Sequence, residues 1–427
     1  MTSKKKCTGW KVMSSDLILK GFPKGFYTKT DGRKGFQKTT SGLIVNDLKE
    51  TYGNRLEYNL MRLQPEIDRI PLDGHFIENF YVYLNKIGWS IRKGEATDAL
   101  LVASHDQNYH PVVDDLRKIE EDNSIYPIDL NFIAQDYLGT SDRLSDEILK
   151  TTLKAAVGRA FNNGCKFDAV CVLQGKPDVR KSTFWKVLGG DYFCDTFQES
   201  SKDNLMMINQ NWIIELSEID GITSKKDHSN LKAMLSSPIS HFRAPYERSF
   251  RPHPRPSIFV ATSNRLDFLI DPTGNRRFWV VKLNHDPTKG EVIDISKLKR
   301  DRKRILKAAI LAYRKDPNLF LSRELQNQSD VNNLNFEHEH HFYAGLYNWV
   351  HKGCRGVDDE TAWSTEDAIH HSGCKDRGHI ISKDTKDAAD ILRRLGYVQD
   401  KHQGYAPKGK SRPPRLWRKK SSQTSQE

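Results

Sequence analysis

The sequence predicts an α/β fold: a mixed core, a mainly helical region before it and a helix-and-hairpin module after it. Three observations carry this. Between Cys171 and Val281 lie four apolar, β-type runs, and each delivers a polar residue near its end: CVLQGKPDVRKST, NWIIELSEID, SIFVATSN and GNRRFWVV. From about Asn46 to Lys118 apolar residues recur mainly at helical spacing. Beyond Phe342 the order is helix, helix and then two β-type runs around Gly404.

The first core run, Ala169 to Leu173, is followed by Gly175, four further residues, and then Arg180, Lys181 and Ser182. A helix starts there and stops at Gly189-Gly190. Strand, glycine-bearing loop, Lys-Ser and helix is the layout of a phosphate-binding loop. Its backbone N–H groups cradle phosphates, its lysine reaches the outer phosphates and its hydroxyl holds Mg²⁺. Gly175, Val179, Arg180, Lys181, Ser182 and Thr183 are the candidate nucleotide-binding residues. The strict pattern has glycine where Arg180 sits, because the backbone turns sharply there. A non-glycine residue in the left-handed region costs roughly 1–2 kcal/mol. Micromolar-to-millimolar nucleotide binding yields roughly 4–8 kcal/mol, so the strain is survivable. The bland alternative is an ordinary β-loop-helix corner.

The later runs supply partners. Trp212 to Leu216 carries Glu215, with Glu218 and Asp220 beyond it. A carboxylate at a strand end beside a phosphate loop holds Mg²⁺ or orients the attacking water; otherwise these are solvated acids. Ser257 to Thr262 ends at Asn264, whose amide suits positioning water or sensing phosphate; a turn asparagine is the alternative. Arg276 and Arg277 precede the strand Phe278 to Val281. An arginine there suits a finger for a neighbouring subunit, a device associated with roughly 10³–10⁵ in rate; a surface arginine pair is the alternative.

At these residues the chain resembles the virulence-associated E (VapE-like) proteins of phages and mobile elements, which are similar to superfamily 3 helicases. The segments are GCKFDAVCVLQG (164–175), RKST (180–183), WIIELSEID (212–220), FRAPYERSFRPHPR (242–255), ATSN (261–264) and DPTGNRRFW (271–279), with NYHPVVDDL and DRKRILKAAILAYR on either side. The resemblance implies an AAA+-like P-loop ATPase core at 129–325, using ATP and Mg²⁺. It implies a homo-oligomeric ring, a hexamer, that acts as a DNA helicase or replication initiator on single-stranded DNA. Lys181 and Ser182 then bind ATP–Mg²⁺, Glu215 with Glu218 activates water, Glu215 and Ser182 hold the metal, Asn264 senses phosphate, and Arg276 or Arg277 acts across a subunit boundary. The segment dense in arginine and aromatics becomes a hairpin in the ring channel, with Arg243, Tyr246, Arg248 and Arg251 on DNA. Arg grips phosphate and aromatic faces stack on bases; a loop with ordinary surface arginines is the alternative. A DNA-binding adaptor or phage-interference protein with an inactive ATPase fold stands as the rival function.

Residues 1–40 hold ten Lys or Arg against two acids, so 1–45 reads as a loosely ordered basic arm, either on nucleic acid or merely solubilising. Residues 46–128 read as a helical accessory domain. In it Asp73 caps a run to Leu84, Thr97 caps a helix to Ser104, and Asn108 to Pro111 forms a turn. Glu66-Ile67-Asp68, between Pro65 and Pro71, reads as solvated acids. Leu130 to Asn162 reads as two helical pieces, the second capped by Ser141 or Ser145. Ile305 to Tyr313 closes the core as an amphipathic helix, and Asp330 to Leu334 reads as a linker. Residues 340–420 read as a winged helix, with Ser364 as a cap, a helix over Thr385 to Leu395, and strands at Tyr397-Val398 and Leu416-Trp417. Its second helix enters a duplex major groove. Residues 401–420 hold eight Lys or Arg and no acid, which suits a wing against phosphate. Arg393, Arg394, Lys408, Lys410 and Arg412 are its candidate contacts. A winged module used for protein contacts is the alternative.

The formal charge of +12 points to a polyanionic partner. No run approaches the roughly 18 apolar residues that span a bilayer, and the N-terminal MTSKKKCTGW lacks a signal-peptide core, so a cytoplasmic protein is expected. Six scattered cysteines without a CxxC pair fit a reducing compartment.

Overall fold

The computed structural model describes residues 19–196, 204–217, 225–247, 249–269, 275–337, 342–357, 362–400 and 415–419. The chain forms two compact units, the first ending at Phe336 and the second starting at Glu337.

The first unit opens with a hairpin, β1 (Phe26–Thr28) and β2 (Lys34–Lys38), then α1 (Ser41–Tyr52), capped by Thr40. Next come β3 (Leu56–Asn59), β4 (Gln64–Ile67), β5 (Ile70–Pro71), α2 (Gly74–Glu78), α3 (Phe80–Lys86), β6 (Trp89–Ser90), α4 (Lys93–His105), β7 (Asn108–Tyr109) and α5 (Pro111–Glu121). Two small sheets, in the orders β1-β2-β6 and β5-β4-β3-β7, share this region with the helices. Helices make up most of the regular structure of 46–128, but the short strands among them are an addition to the expected helical region, and ordered strands begin inside the stretch read as a loose arm. Asp73 does cap α2, but the run breaks at Asn79 before α3. Thr97 lies inside α4, which starts behind Arg92.

The acids at 66–68 are corrected too. Glu66 is fully buried. Its carboxylate accepts from Asn59 Nδ2 at 2.9 Å, from Arg62 at 3.3 Å and from the Tyr109 hydroxyl. Asp68 is half-exposed and paired with Arg55 at 2.6 Å.

The core follows with α6 (Ile133–Leu138), α7 (Arg143–Phe161), β8 (Val170–Gln174), α8 (Lys181–Gly189), β9 (Phe193–Cys194), α9 (Asn204–Gln210), β10 (Ile213–Leu216), α10 (Lys225–Ser236), β11 (Ile239–Phe242), β12 (Arg251–Pro254), β13 (Ile258–Ser263), β14 (Phe278–Lys282), α11 (Ile295–Lys315) and α12 (Arg323–Asn333). Asp142, not Ser141 or Ser145, caps α7 through the Ser145 N–H. The expected linker at 330–334 lies mostly within α12.

Five strands form one parallel sheet in the order β14-β8-β13-β10-β9. Every residue of β8 is buried, and its side chains alternate between two cores. Cys171 and Leu173 join the cluster with residues of α5, α6, α7, α8 and α11; Val170 and Val172 join the cluster with Ile208, Leu231, Leu235 and Phe336. A parallel sheet needs both faces covered, and this is why its strands read as near-continuous apolar runs.

The second unit holds α13 (Tyr343–His351), β15 (Trp363–Ser364), α14 (Thr365–His371), α15 (Ser382–Arg394), β16 (Tyr397–Gln399) and β17 (Leu416–Lys419), with sheet order β15-β17-β16. Ser364 caps α14 in a full capping box with Asp367. Trp363 and Trp417 are buried at its centre. Gly404 lies outside the described residues. Among the described residues no helix is long and apolar enough to cross a membrane.

Candidate functional site

In an open parallel sheet, ligands bind beyond the carboxyl ends of the strands where the strand order reverses. Here that point is the end of β8, flanked by β14 on one side and β13 on the other. The loop from Gly175 to Arg180 leaves β8 there and enters α8 at Lys181. Val179 anchors it: its side chain is fully buried, and its carbonyl accepts from Ile293 N. Arg180 stands at φ 70°, ψ 31°, the left-handed conformation that the motif demands of its usual glycine. Its guanidinium reaches the Ile293 carbonyl at 3.4 Å, so it is not folded in with Lys181, Asn264 and Glu215.

Lys181 is buried and curls back over the loop. Its ammonium donates to the carbonyls of Gly175 (2.7 Å) and Lys176 (2.8 Å) and to Asn264 Oδ1 (2.8 Å). Among the described residues, the backbone N–H groups of Lys176, Asp178 and Arg180 have no acceptor. A row of open N–H groups ahead of a nine-residue helix is an anion cradle, and the helix dipole adds to it.

Glu215 comes from β10 and is fully buried. One oxygen, Oε1, accepts from Ser182 Oγ and from Thr262 Oγ1, both at 2.6 Å. The other, Oε2, is buried with no partner among the described residues. Burial pushes this carboxyl above the ordinary carboxylate range, against the two hydroxyl hydrogen bonds and the Lys181 charge, which pull it down. A hydroxyl and a carboxylate with a spare oxygen are the hard oxygen donors that suit Mg²⁺. Lysine, open N–H groups and this oxygen pair together fit a nucleoside triphosphate with its metal.

The structure thus brings together Gly175, Val179, Lys181, Ser182, Glu215 and Asn264, with Thr183 exposed on the first turn of α8. Glu218 lies outside the described residues. Thr262 is an addition: its run was read only for Asn264, although a hydroxyl at the end of an adjacent strand was the available signal. Lys176 with Asp286, at 2.7 Å, is a second addition beside the loop. The Lys176 ammonium and the Thr288 hydroxyl hold the Asp286 carboxyl down at about 2.

The arginine pair lies elsewhere. Residue 278 is in register with 170, and 282 with 174, so Arg276 and Arg277 sit at the opposite end of the sheet from the loop. Four residues of strand are roughly 13 Å. Arg277 binds Asp168 at 3.1 Å and Ser236 at 3.2 Å, while Arg276 is exposed.

The segment expected as a hairpin is one, with β11 and β12 antiparallel. Its tip does not project freely. Tyr246, at φ 67°, is half-buried against the N-terminal cluster of Phe76, Phe80 and Leu100, with its hydroxyl beside Gly74. Tyr246 is thus a packing residue in this structure, a correction to its expected place on DNA. Arg243 and Arg251 are exposed, and Arg251 lies 3.7 Å from Glu247. Arg248 lies outside the described residues. In the second unit Arg393 pairs with Asp390 at 2.7 Å and lies over the Trp417 ring. The Arg394 side chain and Lys408, Lys410 and Arg412 lie outside the described residues.

The fold and this loop define a class: an α/β protein with a parallel sheet and a Lys-Ser loop at the end of β8, an interior strand of that sheet. The model of the virulence-associated protein E-like domain matches residues 126–339, half of the chain, and the chain belongs to that family. No curated protein matches it. Solved structures that resemble it include the A form apo structure of the NrS-1 C terminal region (12% identity, TM-score 0.41, covering 70% of this chain and 78% of that one). Another apo structure of the same region gives 12%, 0.43, 70% and 77%.

Proposed function

We propose that the chain is an ATP-dependent DNA helicase or replication initiator of a phage or mobile element, hydrolysing ATP at the subunit interfaces of a ring. The observation that carries this reading is the Lys181–Asn264 and Ser182–Glu215–Thr262 arrangement around open backbone N–H groups. Family membership, the resemblance to superfamily 3 helicases and the charge of +12 support it.

In this reading the loop N–H groups and Lys181 bind the phosphates, and Lys181 exchanges its carbonyl partners for phosphate oxygens. Ser182 and Glu215 are the residues that would hold Mg²⁺, which when bound neutralises charge on the outer phosphates. Glu215 keeps an oxygen free to take a proton from water, and burial raises its proton affinity in the direction that role needs. Asn264 orients Lys181 and senses the outer phosphate. Arg276, exposed where Arg277 is tied down, is the arginine available to a neighbouring protomer. Arg243 and Arg251 remain for single-stranded DNA, and Arg393 with the basic 401–420 stretch for a duplex.

The adaptor reading drew on Arg180. With its backbone in the required conformation and its guanidinium on Ile293, Arg180 gives no steric ground for an inactive loop. The test is ATP hydrolysis with and without single-stranded DNA. Turnover that rises with DNA and is lost in Lys181→Ala is expected; turnover unchanged in Lys181→Ala overturns the assignment.

A further inference from the structure

The N-terminal hairpin lies apart from every residue given a role above, and its side chains are unusual for an exposed ribbon. Phe26 faces Phe36 directly across the strands, with ring centroids 5.6 Å apart. Phe36 is 53% exposed, and Tyr27, on the other face, 50%. None of the three belongs to a hydrophobic cluster; the N-terminal core takes Phe22 and Trp89 and leaves the hairpin outside. The Phe26 ring packs on Gly88 and the Tyr27 ring on Gly35, whereas Phe36, opposite Phe26, stays exposed beside them.

Strand alternation puts Lys34 and Lys38 on the face of Phe36. The Lys34 ammonium stands 5.4 Å from the Phe26 ring centre. Residues 19–38 carry six Lys or Arg and one acid, Asp31, which already lies beside Arg33. The base of the ribbon is fixed. Gly25 and Gly88 let the Trp89 and Phe26 rings pack onto backbone, and a Cβ on Gly88 would come within 2.7 Å of the Phe26 ring. A rigid pair of aromatic faces flanked by lysines matches a nucleic-acid single strand: bases present π-faces to the rings and phosphates meet the ammonium groups. The charge balance selects this partner over an added protein strand on β1, which among the described residues is an edge strand, because strand addition needs backbone pairing rather than cations.

We propose that the β1–β2 hairpin is a stacking platform for single-stranded nucleic acid, with Phe26 and Phe36 on bases and Lys34 and Lys38 on phosphates. The site does not rest on the nucleotide-binding reading.

The test uses the full chain without nucleotide, titrated into labelled oligo-dT, oligo-U and a duplex, with anisotropy as readout. The parent is compared with Phe26→Ala/Phe36→Ala, Phe36→Ala alone, Lys34→Glu/Lys38→Glu and Lys181→Ala. Each alanine change at a stacking ring is expected to weaken single-strand binding about tenfold. Phe36→Trp is expected to keep it. The charge variant is expected to flatten the log–log salt dependence by roughly 1.4, two single-strand phosphate contacts. Loss on either single strand supports the platform, and the larger loss identifies the sugar. Parent-like binding by folded Phe36→Ala and by the lysine variant overturns it, as does an equal loss on the duplex. Lys181→Ala is expected to bind like the parent, so failure of the ATPase reading leaves this result standing.

Discussion

If the proposed function holds, replacing Glu215 by Gln separates hydrolysis from folding at this site. Glu215 Oε1 accepts two hydroxyl hydrogen bonds, and a glutamine oxygen accepts the same two. The oxygen exchanged for NH₂ is the one without a partner, so no protein hydrogen bond is lost. A buried charge disappears, which stabilises by up to about 1 kcal/mol. The proposed base is removed outright, and general-base contributions are about 10²–10⁴ in rate, or roughly 3–5 kcal/mol of barrier. Phosphate release by Glu215→Gln is therefore expected to fall at least 100-fold, while its urea midpoint stays at or above that of the parent. Nucleotide binding is expected to persist, because Lys181 and the loop N–H groups remain. Hydrolysis within about tenfold of the parent refutes the role of Glu215. A variant that unfolds refutes the hydrogen-bond reasoning.

Three further outcomes follow from the geometry. Arg180→Gly removes roughly 1–2 kcal/mol of left-handed strain and one long hydrogen bond, so urea unfolding is expected to show about 1 kcal/mol of stabilisation; a destabilised variant contradicts the strain. Glu66→Ala removes the acceptor of the buried Tyr109 hydroxyl and one partner each of the Asn59 amide and Arg62, and is expected to cost about 3 kcal/mol by the same measurement. His110 caps α5 through Nδ1, its Nε2 is buried without a partner, and burial pulls its pKa down to about 4. The unfolded chain takes up that proton near pH 6.5 and the folded chain does not. Stability is therefore fully present above pH 6.5 and falls between pH 6.5 and 4, by roughly 2–3 kcal/mol. His110→Asn keeps the cap acceptor and is expected to flatten that slope in urea midpoints measured from pH 7 to 4.

The strand-loop-helix corner at β8 was legible because its information is local. β8, β10, β13 and β14 fall within a residue or two of the expected runs, with the Lys-Ser loop after β8, Glu215 in β10, Asn264 after β13, and Arg276 and Arg277 before β14. The left-handed backbone of Arg180 followed from the motif alone. The small sheets of the N-terminal region were not legible because their strands are two to five residues long, too short for a period-2 signal, and because pairs such as β2 with β6 are distant in sequence. The burial of Glu66 depends on Tyr109, 43 residues away, and on Asn59, so Pro65 and Pro71 beside it gave no sign of it. Tyr246 failed for a related reason: its residue type suited a single strand, but the N-terminal module that covers it is remote in sequence. In the second unit the Ser364 cap and both strand positions were readable, since capping and turn chemistry act over a few residues.

Titration calorimetry of the purified chain with a nonhydrolysable ATP analogue, with and without Mg²⁺, tests the central claim most directly. One site per chain in the micromolar-to-millimolar range, strengthened by Mg²⁺ and lost in Lys181→Ala, is the predicted result. No heat at millimolar analogue, or equal affinity in Lys181→Ala, contradicts it.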